Sequence, residues 1–434
     1  MRFIFLLLSL TLNVFAQTSN EIRDIIKFGL ENQVLDMLRQ LTLQKDLNFT
    51  NEIEALLTPY QSFAVREAVL RYFSEVKKTI SKEKINLIVN DLDKWPNSLV
   101  LTFSNYIVSL EAKDLFQYFE PMLHSDSIFQ EGAAIRLIGQ LKLNETAETL
   151  FEKLKKPETP PELIGDLVVA LGRLNHQPAS EEIKRIFEDG SSSAALKALC
   201  LEALSRLDNS TSQETFLIAF QDENAIVRAA ALKQAVNMKN YPLNLEIYLR
   251  ALRDTSPNVR LAAAEALAER QLEGTFEMLT FRASQDPDNK VRQAALNAIK
   301  KQDETYWRKQ VVDLIKNRRG DPVLWGNLLK EVFENRLSEA LEVIQTILSE
   351  ESRFPNSPLL NHFALQFSLS DWNAVDNLIP IILKSQNQNA QLTILRTLQR
   401  RERKDLRPLL VEIERTTRFA QVRNFLQTLL RQWE

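Results

Sequence analysis

Along most of the chain apolar residues recur at i, i+3, i+4 and i+7, with polar residues between them. That spacing lines one face of an α-helix and predicts a succession of amphipathic helices. The pattern is clearest over residues 217–300, where it also repeats itself. Residues 222–232, 254–264 and 286–296 align without a gap, at a period of 32. Asp222, Asp254 and Asp286 open the three segments, and Val227–Arg228, Val259–Arg260 and Val291–Arg292 follow. Paired alanines come next: Ala230 and Ala231, Ala262 and Ala263, Ala294 and Ala295.

Each period reads as two helices. The first ends near the Asp, and a short polar turn follows, with Pro257 and Pro287 at positions a turn or first helical residue tolerates. The second helix opens at Val-Arg, and its small alanines let the next pair approach closely. One pair cannot cover its own apolar face, so stacking is obligatory. Turn signals near Pro59, Pro96, Asp126, Pro160, Gly190, Asp222, Asp254, Asp286, Asp321, Pro355, Asn387 and Thr417 extend the rhythm over the whole chain. At spacings of 30 to 37, about thirteen helix pairs fill residues 20–434. The expected fold is all-α: a right-handed α-α superhelix forming one domain over 17–434.

The turn Asp and the Val-Arg opening resemble the HEAT repeat family, strongly over 217–300 and in degenerate form elsewhere. Val65–Arg66 and Val422–Arg423 keep the pair. Residues 189–204 keep the turn Asp but carry Lys197 near the arginine position. Val323 falls 32 beyond Val291, with Leu324 where an arginine would stand. In the family the Asp and Arg tie layers together, so the resemblance implies a structural ladder of Asp222, Arg228, Asp254, Arg260, Asp286 and Arg292. The Asp is expected to satisfy free amides where the second helix starts. The Arg is expected to reach an Asp of its own or of the neighbouring repeat.

Binding residues should instead break the repeat. The resemblance places the second helices on the concave face. There Lys233, Glu265 and Asn297 form one polar row, and Asn237, Glu269 and Lys301 a second. A row of mixed charge suits a protein or peptide better than a polyanion. Two other segments depart from the pattern. Residues 103–129 are rich in aromatics (Phe103, Tyr106, Phe116, Tyr118, Phe119, Phe129), read mainly as the core of a divergent repeat rather than an exposed docking patch. Arg400, Arg401, Arg403, Lys404 and Arg407 cluster near the C-terminus, either as a solvated cap or as a patch for an anionic partner or membrane surface.

Composition narrows the chemistry. Nine Gly and 15 Pro in 434 residues are few for a turn-rich sheet protein. A net charge of −3 gives no attraction for nucleic acid. Met1 and Arg2, the apolar residues 3–12 and the small residues of Val14–Phe15–Ala16 read as a secretory signal peptide, cleaved after Ala16. The chain is therefore expected to be exported, to a periplasm or beyond the cell. Its one cysteine, Cys200, excludes an internal disulfide and reads as a small buried apolar residue. His124, His176 and His362 lack metal-ligand spacing, and no nucleotide-binding or nucleophile motif occurs. The expectation is a non-enzymatic scaffold with no cofactor, no metal and no small-molecule substrate. The alternatives are a bilin-lyase-like HEAT enzyme, or a HEAT protein that binds an anionic surface or nucleic acid.

Overall fold

The structure is a computed structural model and describes residues 18–239, 244–270, 272–317 and 321–433. The leader expected over 1–16 lies outside the described residues. Every regular element described is helical. Thirteen helices set the rhythm: Glu31–Gln44, Phe63–Val76, Asn97–Ser109, Ile128–Leu141, Pro161–Arg173, Ala194–Leu207, Ala225–Ala235, Pro257–Glu269, Asn289–Gln302, Pro322–Glu334, Pro358–Leu369, Gln388–Arg400 and Ala420–Gln432. Their first residues stand 30 to 36 positions apart. They are the second helices of the pairs, and the turn signals read from the sequence fall just before them. The fourth pair departs: two 3-10 segments, Lys113–Tyr118 and Glu120–His124, replace its first α-helix.

The helices begin where side chains can cap them. Free amides at an N-terminus need an acceptor. Ser62, Ser127, Ser193, Asn224, Asp288, Asp321, Ser357 and Asn387 each accept from an amide in the first turn of a second helix. The other ends use a left-handed residue. In this glycine-poor chain that residue is polar: Lys45, Lys77, Glu111, Lys142, Asn175, Asp208, Arg336 and Glu402 all have φ between 45° and 54° just past a second helix.

Two compact units divide the chain, residues 1–218 and 219–434. Within each, every second helix packs on the next, and first helices pack against the second helices of their pairs. This is an all-α solenoid. Burial follows the repeat: Val227, Val259 and Val291 are sealed, as are Ala231, Ala263 and Ala295 on the next turn. Small residues bring layers close, as expected. A Cβ on Gly172 would lie 2.5 Å from the Ala203 Cα, and one on Gly139 would lie 2.8 Å from the Ala170 Cα.

The aromatic segment is core. Phe103, Tyr106, Phe116 and Phe119 are buried. Phe103 stacks on Phe119 at 5.3 Å and meets Trp95 at 5.6 Å. The Tyr106 hydroxyl accepts from the Ile80 amide at 2.7 Å. Four of the six aromatics are therefore core, while Tyr118 and Phe129 are half-buried.

Candidate protein-binding face

The face formed by the second helices of 225–302 is positioned by the rungs beneath it. Each arginine is the fourth residue of its second helix. Arg260 grips Asp286 of the following layer with both edges of its fork, Nε to Oδ2 at 2.7 Å and Nη2 to Oδ1 at 2.8 Å. Its Nη1 donates to the Asp254 and Thr255 carbonyls of its own turn, at 2.9 and 3.1 Å. Arg228 repeats the arrangement on Asp254, with its own Asp222 and Glu223 carbonyls at 2.8 and 2.9 Å. Arg292 reaches Asp321 through Nη1 alone, at 2.7 Å. The partner carboxylate thus belongs to the neighbouring repeat, and the repeat's own Asp contributes its main-chain oxygen. In unit 1, Arg66 pairs with Asp91 at 3.1 Å while donating to the Pro59 and Gln61 carbonyls.

The expected capping role of the Asp needs correction. The carboxylates of Asp222, Asp254 and Asp286 accept from the amide two residues on, Asn224, Ser256 and Asp288, and so tighten the turn. Asn224 and Asp288 cap the helices themselves. Val323 also differs from expectation. It is 52% exposed, and Leu324, 33 positions beyond Val291, is the sealed residue. Lys197 lies 5.3 Å over the Phe187 ring.

Electrostatics follow from these contacts. Burial pushes the Asp254 and Asp286 carboxyls up, but the arginine hydrogen bonds, a turn amide and nearby guanidinium charge outweigh it. Both are held below the usual carboxylate value. The same bonds raise Arg228 and Arg260, so the rungs stay ionised.

Lys233, Glu265, Asn297, Glu269 and Lys301 are exposed on these helices, and Asn237 is exposed in the turn just past Ala225–Ala235. Two are tied together: Lys301 forms an ion pair with Glu269 one layer before. Asn237 donates to Gln234 at 3.1 Å. The sequence reading missed Ile226, which is 57% exposed about two turns before Lys233. Its place two residues before Arg228 turns this apolar side chain outward.

The C-terminal basic cluster is largely engaged within the fold. Arg401 donates to the Phe367 and Ser370 carbonyls and lies 4.7 Å over the Phe367 ring. Arg400 donates to the Ser368 carbonyl, and Arg403 to Asp376 and Asp405. Arg270 does likewise for the Val236 and Met238 carbonyls. A cation placed where one second helix ends therefore satisfies the free carbonyls ending the layer before it. Sequence reasoning missed this second tie, although Arg270 and Arg401 both stand just past a helix end.

Among the described residues no cluster of three or more His, Cys, Asp or Glu could hold a metal, and no helix is long and apolar enough to cross a membrane. His176 lies tilted against Phe151, ring centroids 5.3 Å apart, beside Glu148. His124 is exposed, and within unit 2 His362 packs against Gly326.

Paired helices joined by Arg–Asp rungs define a HEAT-repeat solenoid. The chain belongs to the spirochaete HEAT repeat protein family, whose profile matches residues 26–429. No curated protein sequence matches it. Among solved structures it is similar to Kap95p in a complex with RanGDP, at TM-score 0.48 and 10% identity over 95% of this chain and 66% of that one. Yeast importin-β (Kap95p) gives 0.47 and 10% over 95% and 60%. Human deoxyhypusine hydroxylase in complex with glycerol gives 0.27 and 15% over 61% and 98%. The chain thus spans less than two thirds of the karyopherin chains.

Proposed function

We propose that the protein is an exported, non-enzymatic scaffold that binds a protein or peptide along the second-helix face of residues 225–302. One observation supports this most directly: five polar residues of mixed charge stand exposed on helices whose spacing is fixed by largely buried Arg–Asp rungs, and Asn237 stands exposed just past one of these helices. A rigid surface loses little conformational freedom on binding. Alternating Lys233, Glu265 and Asn297 select a partner by charge pattern. Ile226 adds an apolar anchor beside them. The residues serve contact rather than chemistry, since no nucleophile with an adjacent base stands among them.

The experiment is cross-linked capture from the native compartment, comparing wild type with the triple variant Lys233→Glu, Glu265→Lys, Glu269→Lys. All three sites are exposed, so helicity and melting temperature are expected to hold. Loss of the captured partner supports the face. Retention of the same partner by a folded triple variant overturns it. Export carries its own test: the mature N-terminus of native material is expected at Gln17, and a chain beginning at Met1 would refute the compartment.

A further inference from the structure

The rungs have a template position, the fourth residue of the second helix, and in unit 1 only Arg66 keeps the arginine there; Val34, Val100, Glu131, Ile164 and Lys197 stand at it in the other layers. The helix Pro161–Arg173 carries Ile164 there. The carboxylate that would receive the arginine is nonetheless in place. Asp189 ends the first helix Ser180–Glu188 as Asp286 ends Phe276–Gln285, with its amide on the Arg185 carbonyl as that of Asp286 is on Arg282, both at 3.1 Å. Its Oδ1 accepts the amide two residues on, Ser191, at 2.8 Å, as Asp254 accepts Ser256. Asp189 stands 25 positions after Ile164, the separation of Arg66 from its partner Asp91.

Other layers without the arginine close the position: Val34 and Val100 are buried there. Glu131 pairs there with Lys153, Gln391 donates to the Ser385 carbonyl, and Trp325 is sealed. Ile164 does not, and a cleft of about 1140 Å³ opens between the turns, lined by Ile164, Ile186, Leu199, Glu162, Glu188 and Asp189. Of the cations on its wall, Arg185 is held by Glu182 and Lys155 by Glu152. That leaves Lys156 on the same wall as Glu162, Glu188 and Asp189, so the balance is acidic.

We propose that this cleft receives an arginine side chain of a partner protein. The aliphatic stem lies along Ile164 and Ile186, and the guanidinium takes the place that Arg228 and Arg260 occupy in their layers, donating to Asp189. Charge complementarity and the geometry of those filled rungs both select a planar, forked cation over an ammonium. The site lies within residues 154–199 and is independent of the second-helix face proposed above.

The test uses the full chain with isotope-labelled isoleucine methyls. The probe is an acetylated pentapeptide with a central arginine, set against the same peptide with citrulline, which keeps the shape and removes the charge. The arginine peptide is expected to shift the Ile164 and Ile186 methyls, and the citrulline peptide to bind about tenfold more weakly or worse. Asp189→Asn is expected to weaken the arginine peptide to a similar degree. Ile164→Arg supplies the rung from within: it should raise the melting temperature and abolish peptide binding, and adding Asp189→Asn should cancel the gain. Equal binding of the two peptides, methyl shifts confined to other layers, or a peptide with central glutamate binding better would each overturn the proposal. If Ile164→Arg fails to fold, the peptide pair and Asp189→Asn still decide it.

Discussion

Replacing Arg260 by alanine tests the rung most directly. The Arg260 side chain is 9% exposed and that of Asp286 is fully buried. Breaking a buried ion pair by removing one partner costs about 3–5 kcal/mol, because the other charge stays behind without its counterpart. Here Asp286 keeps the Asp288 amide at 3.0 Å and Arg282 at 3.3 Å, so the low end applies, about 3 kcal/mol. For a unit of this size each kcal/mol moves the melting temperature by about 2–4 °C, which gives a fall of about 6–12 °C. Lys233→Ala, at an exposed site, should change stability by no more than about 0.5 kcal/mol. Arg260→Lys should recover little, since an ammonium cannot hold both carboxylate oxygens and two turn carbonyls at once. Acid adds an independent check. Asp286 has a depressed carboxyl, so its contribution is fully present above the ordinary carboxylate value and is lost as pH falls through the depressed one. Without Arg260 that carboxyl protonates more readily. The gap between wild type and variant should be full at pH 7 and narrow below about pH 4. Thermal melts followed by circular dichroism give both readouts. Equal melting of Arg260→Ala and Lys233→Ala, or a gap that persists undiminished at pH 3, would refute the rung's energetic role.

Gly172→Ala should destabilise unit 1 by about 1–3 kcal/mol, because the new methyl meets the Ala203 backbone. Gly190→Ala, with nothing within 4 Å, should not, and urea melts that fail to separate the two would count against the close helix approach. Lys142→Gly should stabilise by roughly 0.5–1 kcal/mol, since φ of 53° strains a side chain and suits glycine; a neutral or destabilising result contradicts that reading. Burial pushes the Cys200 thiol up to about 12, so a thiol reagent at pH 8 should label the chain only on unfolding, and rapid labelling of native protein would place the thiol elsewhere.

The fold was legible because a solenoid writes its core locally. Each layer buries the same positions, so Val227, Val259 and Val291 announce their burial by recurring. The turns were legible for a related reason: Ser, Asn and Asp cap the helices, and Pro tolerates only their first turn. The divergent fourth pair was readable as core but not as 3-10 helix, because rings that seal a layer leave no signature of which helix carries them. The ends of the second helices were not legible as contacts. Arg270 and Arg401 look like ordinary exposed cations in sequence. Their partners are main-chain carbonyls 30 or more positions earlier, and carbonyls carry no residue identity.

The rungs show why a fixed period misleads even where the repeat is strong. The arginine holds one place, the fourth residue of the second helix, in Phe63–Val76, Ala225–Ala235, Pro257–Glu269 and Asn289–Gln302 alike. Its carboxylate partner follows 25, 26, 26 and 29 positions later. What the chain preserves is a distance in space between two helix ends, while the turn between them lengthens or shortens. Counting 32 from Val291 therefore lands on exposed Val323, and Asp189, recognisable as a turn Asp, sits one place off the same count because its turn is two residues longer than that of Asp222. Turn length is free to vary because loops tolerate insertion at little cost. An array held by such rungs can thus lose one arginine, keep the matching carboxylate and leave an opening between intact layers. In this chain that combination occurs at Ile164 and Asp189, where the repeat offers a partner the contact it otherwise makes with itself.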